Sequence, residues 1–230
     1  MIRKSGYRFS EKIMLKQNVQ TLSGDNQVAG TTLKLKQQRS RDRRERILAA
    51  ATKLFGARGI DRTSLTEIAS TAKVPLSSLY DYFADKQALV LEVPEENFAA
   101  LYARTEPLLK SGTDAVEQLR ITYLTNFEYI EENPGWGRVF FLEIWPSVIA
   151  AEPKIKKSVD RYALRYVQLI RQAVRSGVYR KNLDPYLAMS LLMGGMCHVT
   201  AVWLLYGRKY DLVKKGSAVF ATLHDGFLAS

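Results

Sequence analysis

Residues 64–83, from Ser64 to Phe83, read SLTEIASTAKVPLSSLYDYF and divide into two short helices joined by a tight turn. Ser64 can accept from the backbone N–H of Glu67, whose carboxylate can reach back to the N–H of Ser64, the capping box that opens a helix. Leu65, Ile68, Ala69 and Ala72 then recur at the 3/4 spacing of one buried face. Lys73 and Val74 make the break. Pro75 suits the first turn of a new helix, because the N–H it lacks would have had no partner there. Leu79 and Phe83, four apart, form the inward side of the second helix. Ser77, Ser78, Tyr80 and Asp81 face outward, with Leu76 open between core and surface. A pair of this kind fits the major groove of DNA; the other reading is a helical pair inside an ordinary all-α core.

The outward face carries no cation, so it can read bases only through hydroxyls, a carboxylate and apolar contact with thymine methyls. Affinity for phosphates must come from the flanks: Arg62, Lys73, Lys86 and the run Arg39, Arg41, Arg43, Arg44 and Arg46. Charge is distributed to match. The chain carries a net +11, and residues 1–62 hold 15 basic and 5 acidic side chains, which leaves the remaining 168 residues nearly neutral. A basic end on a neutral body suits a polyanion, either nucleic acid or an anionic membrane surface.

Around this pair the chain resembles the TetR-type bacterial transcriptional regulators. The likeness runs from about Arg41 to Leu91: an amphipathic helix ending in LFGARGI, the segment TSLTEIA, Leu79-Tyr80 followed by Tyr82-Phe83, and DKQAL at the head of the next helix. The resemblance implies phosphate contacts from Thr63 or Ser64, from Tyr80 and from Lys86, and base or groove contacts from Leu76, Ser77 and Ser78. With the flanking cations, the candidate DNA-binding residues are Arg41, Arg43, Arg44, Thr63, Ser64, Lys73, Leu76, Ser77, Ser78, Tyr80, Asp81, Tyr82 and Lys86. Two positions depart from the family pattern. Lys73 stands where glycine is common and must take the turn geometry with a side chain, and Leu76-Ser77 stand where a lysine and a glycine are common.

The 230 residues and 47% hydrophobic content suit a small domain followed by a larger one. Residues 1–38 read as a flexible basic tail, 39–90 as the DNA-binding domain and 91–230 as a helical ligand-binding and dimerisation domain. Cys197 is the only cysteine, and Met1 to Asn18 mixes charges without an apolar stretch, so the expected location is cytoplasmic. The spacing predicts a first helix from about Arg41 to Ala57. Asp85 caps a fourth helix that contains Pro94, which should kink or split it as a hinge or as a plain break. Further helices are expected from Thr113 or Asp114 to Asn133, from about Gly137 to Trp145, from Pro153 to Ser176, from Asp184-Pro185 onward, and from Asp211 to about Leu228. No strand pattern competes, so the expected fold is all-α.

Tyr186 to Gly207 is a run of 22 residues with no charged side chain, long enough to span a membrane. It contains Ser190, Gly194, Gly195, His198 and Thr200, and it sits where the family has one of two helices that pack against their copies. It therefore reads as the core of a homodimer formed through about 185–206 and 211–228, with no membrane. By the resemblance, some of the aromatics in the body line a pocket for an apolar or aromatic effector. The candidates are Tyr123, Phe127, Phe141, Trp145, Tyr162, Tyr166, His198 and Trp203, although most of the body's aromatics must simply be core. His198 and His224 are the only histidines, and no nucleophile motif, phosphate loop or metal-ligand spacing appears, so neither catalysis nor a metal or cofactor is expected. The resulting expectation is a ligand-responsive repressor that binds a pseudo-palindromic operator as a homodimer. The rival is a helical ligand-binding or scaffold protein with only non-specific binding to DNA or anionic membrane.

Overall fold

Ser64, Asp85, Asp114, Asp184 and Asp211 each place a side-chain oxygen on the first free N–H groups of a helix, so local chemistry fixes where five helices begin. The fold is known from a computed structural model that describes residues 34–109 and 114–229. Backbone is helical at each residue of 34–58 (α1). There follow α2 (Leu65–Ala72), α3 (Leu76–Tyr80), α4 (Lys86–Thr105), α5 (Ala115–Glu132), α6 (Pro134–Arg138), α7 (Pro153–Arg175), α8 (Pro185–Leu205) and α9 (Leu212–Phe227). Short 3-10 turns cover Glu106–Leu108 and Val148–Ala151, and a π-helical turn covers Val139–Ile144. Among the described residues, extended pairing is limited to one antiparallel bridge, Tyr179 with Leu228. The fold is all-α.

The chain divides into two units between Arg46 and Ile47, and in the described part of the first, residues 34–46, Gln38 Nε2 donates to Asp42 Oδ1 at 2.6 Å. The remainder, from Ile47 onward, is a second unit. In that unit the apolar stripe Ile47, Ala51, Leu54 and Phe55 is buried in the same cluster as Ile68, Leu79, Phe83 and Leu89, which supports the helix pair. The body is layered around α5, which packs on α4, α7 and α9, while α8 lies between α7 and α9. α5 contributes the fully buried Leu119, Tyr123 and Phe127, and α7 contributes Ile155, Tyr166 and Ile170.

Three expectations need correction. The first helix does not wait for Arg41, because residues 34–40 are already helical; the rest of the supposed tail, 1–33, lies outside the described residues. Pro94 splits nothing: α4 runs unbroken from Lys86 to Thr105, and Pro94 is buried beside Val93 and Phe98, so packing offsets the one missing helical hydrogen bond. The sixth helix starts at Pro134 rather than near Gly137, since proline at the first helical position begins a helix as readily as it ends one.

Candidate nucleic-acid interface and effector cavity

The turn between α2 and α3 closes as a Schellman motif. Lys73 adopts a left-handed conformation (φ 55°, ψ 48°), its N–H donates to Ser70 O at 3.1 Å, and Val74 N–H donates to Ala69 O at 3.0 Å. Lysine thus takes the geometry that glycine takes at lower cost. Leu79 and Phe83 anchor α3 in the core, which turns Leu76 (37% exposed), Ser77, Tyr80 (52% exposed) and Asp81 outward, with Ser78 and Tyr82 half-buried beside them. Ser77, Tyr80 and Asp81 are exposed as their spacing indicated, Leu76 falls on the surface, and Ser78 is half-buried rather than fully outward. Lys73 and Arg62 are exposed, as is Arg41; Arg43 and Arg44 are half-buried.

Three candidates for phosphate contact are otherwise engaged. Thr63 is buried, and its hydroxyl donates to Gly59 O at 2.8 Å. Ser64 Oγ accepts from Glu67 N–H at 3.2 Å and donates to Glu67 Oε2 at 2.9 Å, so its hydroxyl is committed to the cap. Glu67 accepts from the Ser64 N–H, which with the Ser64 hydroxyl and Arg58 holds its carboxyl below the usual glutamate range. The Lys86 ammonium donates to Ile60 O, Asp61 O and Thr63 O at 3.1, 3.2 and 3.3 Å. Lys86 is therefore a brace for the loop between α1 and α2. Its charge and the family resemblance marked it as a phosphate ligand; only the fold puts three carbonyls around it.

The body holds a cavity of about 410 Å³, within the ~300–1,000 Å³ typical of small-molecule sites. Its walls come from five segments: Phe98 and Leu101 on α4, Asn126 and Tyr129 on α5, Trp136, Phe140, Phe141 and Trp145 on and after α6, Tyr162 on α7, and Met189, Met193 and Cys197 on α8. Phe140 is the hub of the aromatic wall, with ring centroids 4.9 Å from Trp136, 5.4 Å from Phe98 and 5.1 Å from Phe141. At the floor Asn126 Nδ2 donates to Thr122 O at 2.7 Å, to Tyr166 Oη at 3.1 Å and to Tyr162 Oη. Burial raises the pKa of both tyrosines and pushes the Cys197 thiol up to about 11, so these groups stay neutral. Asp160, exposed and paired with Lys156, is the one carboxylate in the lining. Apart from Asp160, the lining carries no charged side chain.

Of the candidate ligand residues, Phe141, Trp145 and Tyr162 line this cavity. Tyr123 is core, donating to Leu192 O at 3.1 Å and packing edge-on against Phe127. Phe127 lies against Gly216 of α9, and Tyr166 stands behind Tyr162 with the two hydroxyls 3.0 Å apart. His198 faces outward on α8, and Trp203 donates from Nε1 to Tyr210 O at 2.8 Å. Aromatic content could not separate these, because every helix of the body has an apolar face. Met189 and Met193, four apart, carried the better signal, since adaptable side chains suit a cavity wall.

An outward helix-turn-helix on a helical body with an apolar cavity defines a DNA-binding regulator that answers to a small molecule. The family model described as bacterial regulatory proteins, tetR family, matches residues 47–93, and the one described as YsiA-like protein, C-terminal region, matches residues 95–226. The chain belongs to the TetR family and is a ligand-responsive transcriptional repressor. It is 24% identical over 180 residues to the fatty acid metabolism regulator protein of Bacillus subtilis, covering 78% of this chain and 93% of that one. It is 28% identical over 145 residues to the transcriptional repressor KstR2 of Mycobacterium tuberculosis, covering 62% of this chain and 72% of that one. Its fold is similar to the crystal structure of the regulator FadR from Bacillus subtilis in complex with stearoyl-CoA, with a TM-score of 0.74 at 23% identity over 80% of this chain and 98% of that one.

Proposed function

We propose that two copies pair through α8 and α9, hold their α3 helices in successive major grooves of a pseudo-palindromic operator, and let go when a long apolar ligand fills the cavity. The observation that carries this reading is the cavity itself, neutral and aromatic, with one wall on α4, the helix that leads directly from the reading head. A ligand shifts the operator-bound state only by its difference in affinity for the two states, typically a 5–150-fold coupling. A ligand that resizes this cavity and moves α4 supplies such a difference.

The lining suits the hydrocarbon of a long acyl group, with any charged end left outside. The B. subtilis neighbour crystallised with stearoyl-CoA supports an acyl thioester as the class to test first. For pairing, α8 presents the exposed Leu187, Leu191 and Leu205 together with Ser190, Gly194 and His198. α8 is the one described helix long and apolar enough to cross a membrane, but α7 and α9 flank it and its open stripe carries polar groups, which suits a partner copy. A cytoplasmic location follows from the same reading.

The test is selection of bound duplexes from a random pool at physiological salt, followed by titration of stearoyl-CoA into the selected complex. A two-fold symmetric motif whose complex dissociates on titration supports the reading. Enrichment of no motif, with binding that disappears as salt rises, overturns it.

A further inference from the structure

The segment Pro134–Ile144 has two sides. One is the aromatic wall of the cavity, Trp136, Phe140 and Phe141. The other reaches the end of α1. Gly135 meets Gly56 so closely that a Cβ on Gly56 would lie 2.5 Å from Gly135 Cα. Arg138 Nε donates to Gly56 O at 3.0 Å and its Nη1 to Leu204 O at 3.3 Å, so one guanidinium serves carbonyls left open at the ends of α1 and α8. Glu143 Oε2 accepts from Ile60 N–H at 2.7 Å, across 83 residues of sequence.

A regular α-helix would set Arg138 and Glu143 about 140° apart. The π-helical turn over Val139–Ile144, closed by Trp145 N–H to Phe140 O at 2.8 Å, carries one extra residue and lets both side chains reach α1 and its exit. Phe140 and Phe141 on the cavity side and Glu143 on the α1 side thus belong to the same turn. Glu143 holds the N–H of Ile60, and Lys86 holds the carbonyls of Ile60, Asp61 and Thr63. The loop 59–63, which leads straight into the Ser64 cap of the reading head, is thus gripped from α4 on one side and from the cavity wall on the other.

We propose that Glu143, with Arg138, is a positioning latch that carries occupancy of the cavity to the reading head through the π-helical turn, a route separate from α4. The proposal rests on the ligand-responsive reading above. It assigns to Glu143 no contact with DNA or ligand.

The test is a comparison of operator dissociation constants for wild type, Glu143→Ala and Glu143→Gln, each with and without stearoyl-CoA. A second, ligand-free arm uses Met193→Trp, which fills the cavity covalently, alone and combined with Glu143→Ala. Thermal unfolding confirms that each variant is folded, and direct titration measures stearoyl-CoA binding. In wild type, stearoyl-CoA or Met193→Trp is expected to weaken operator binding tenfold or more. In Glu143→Ala that ratio falls at least fivefold while stearoyl-CoA still binds, and Glu143→Gln, which keeps an acceptor oxygen, recovers part of it. An unchanged ratio in Glu143→Ala overturns the latch and leaves the repressor reading intact. If neither stearoyl-CoA nor Met193→Trp affects operator binding in wild type, the cavity does not control the head, and both the effector reading and the latch fall.

Discussion

Replacing Lys86 with methionine separates a brace from a phosphate ligand. Methionine keeps most of the apolar stem and removes the ammonium, so packing is largely retained while Ile60 O, Asp61 O and Thr63 O lose their donor. A hydrogen bond to a charged group contributes about 1.5–3 kcal/mol, and three bonds that share one half-buried ammonium are far from additive, so a loss of about 2 kcal/mol is expected. For a protein of this size that corresponds to roughly 4–8 °C in Tm, compared at equal protein concentration because pairing contributes to stability. Operator binding should weaken because the loop ahead of the reading head loosens. Its salt dependence should stay as it was. Loss of a true phosphate contact reduces the slope of log K against log salt by about 0.9, the result expected for the exposed Lys73→Met. A Lys86→Met protein with wild-type Tm and a slope lower by about one unit would refute the brace.

Three further outcomes follow from the same geometry. Gly56→Ala forces α1 away from Gly135, and overpacking of about 1–3 kcal/mol should outweigh the ~0.5–1 kcal/mol gained by alanine in a helix, so chemical denaturation should show a net loss. Gly194→Ala meets no atom of its own chain within 4 Å; the isolated chain should gain about 0.5–1 kcal/mol, whereas sedimentation should show weaker self-association if a partner's α8 packs there. Because the folded Glu67 carboxyl titrates below its ordinary value of 4.5, its stabilising effect is complete above that pH and is lost as pH falls below it. Urea midpoints of wild type and Glu67→Gln should therefore differ at about pH 6 and draw together as the pH is lowered below 4.5.

The sequence by itself determined the all-α class, where five helices begin and the helix pair at residues 64–83. Ser64 with Glu67, Asp85, Asp114, Asp184-Pro185 and Asp211 mark helix starts through contacts spanning three residues or fewer, and the inward Leu79 and Phe83 follow from a fixed helical period. Such information is local, because capping and amphipathicity depend on backbone geometry that every helix shares. Only the tertiary structure decided which apolar faces leave a gap: Phe141, Trp145 and Tyr162 border it, while Tyr123, Phe127 and Tyr166 from equally apolar faces do not. It likewise showed Thr63 and Lys86 bonded to carbonyls of the loop ahead of α2, and it brought Glu143 to Ile60 and Arg138 to Gly56 across more than 80 positions. The physical reason is that a cavity or a latch is a property of how helices of given length and side-chain volume fit together, and no single helix carries that information in its own period.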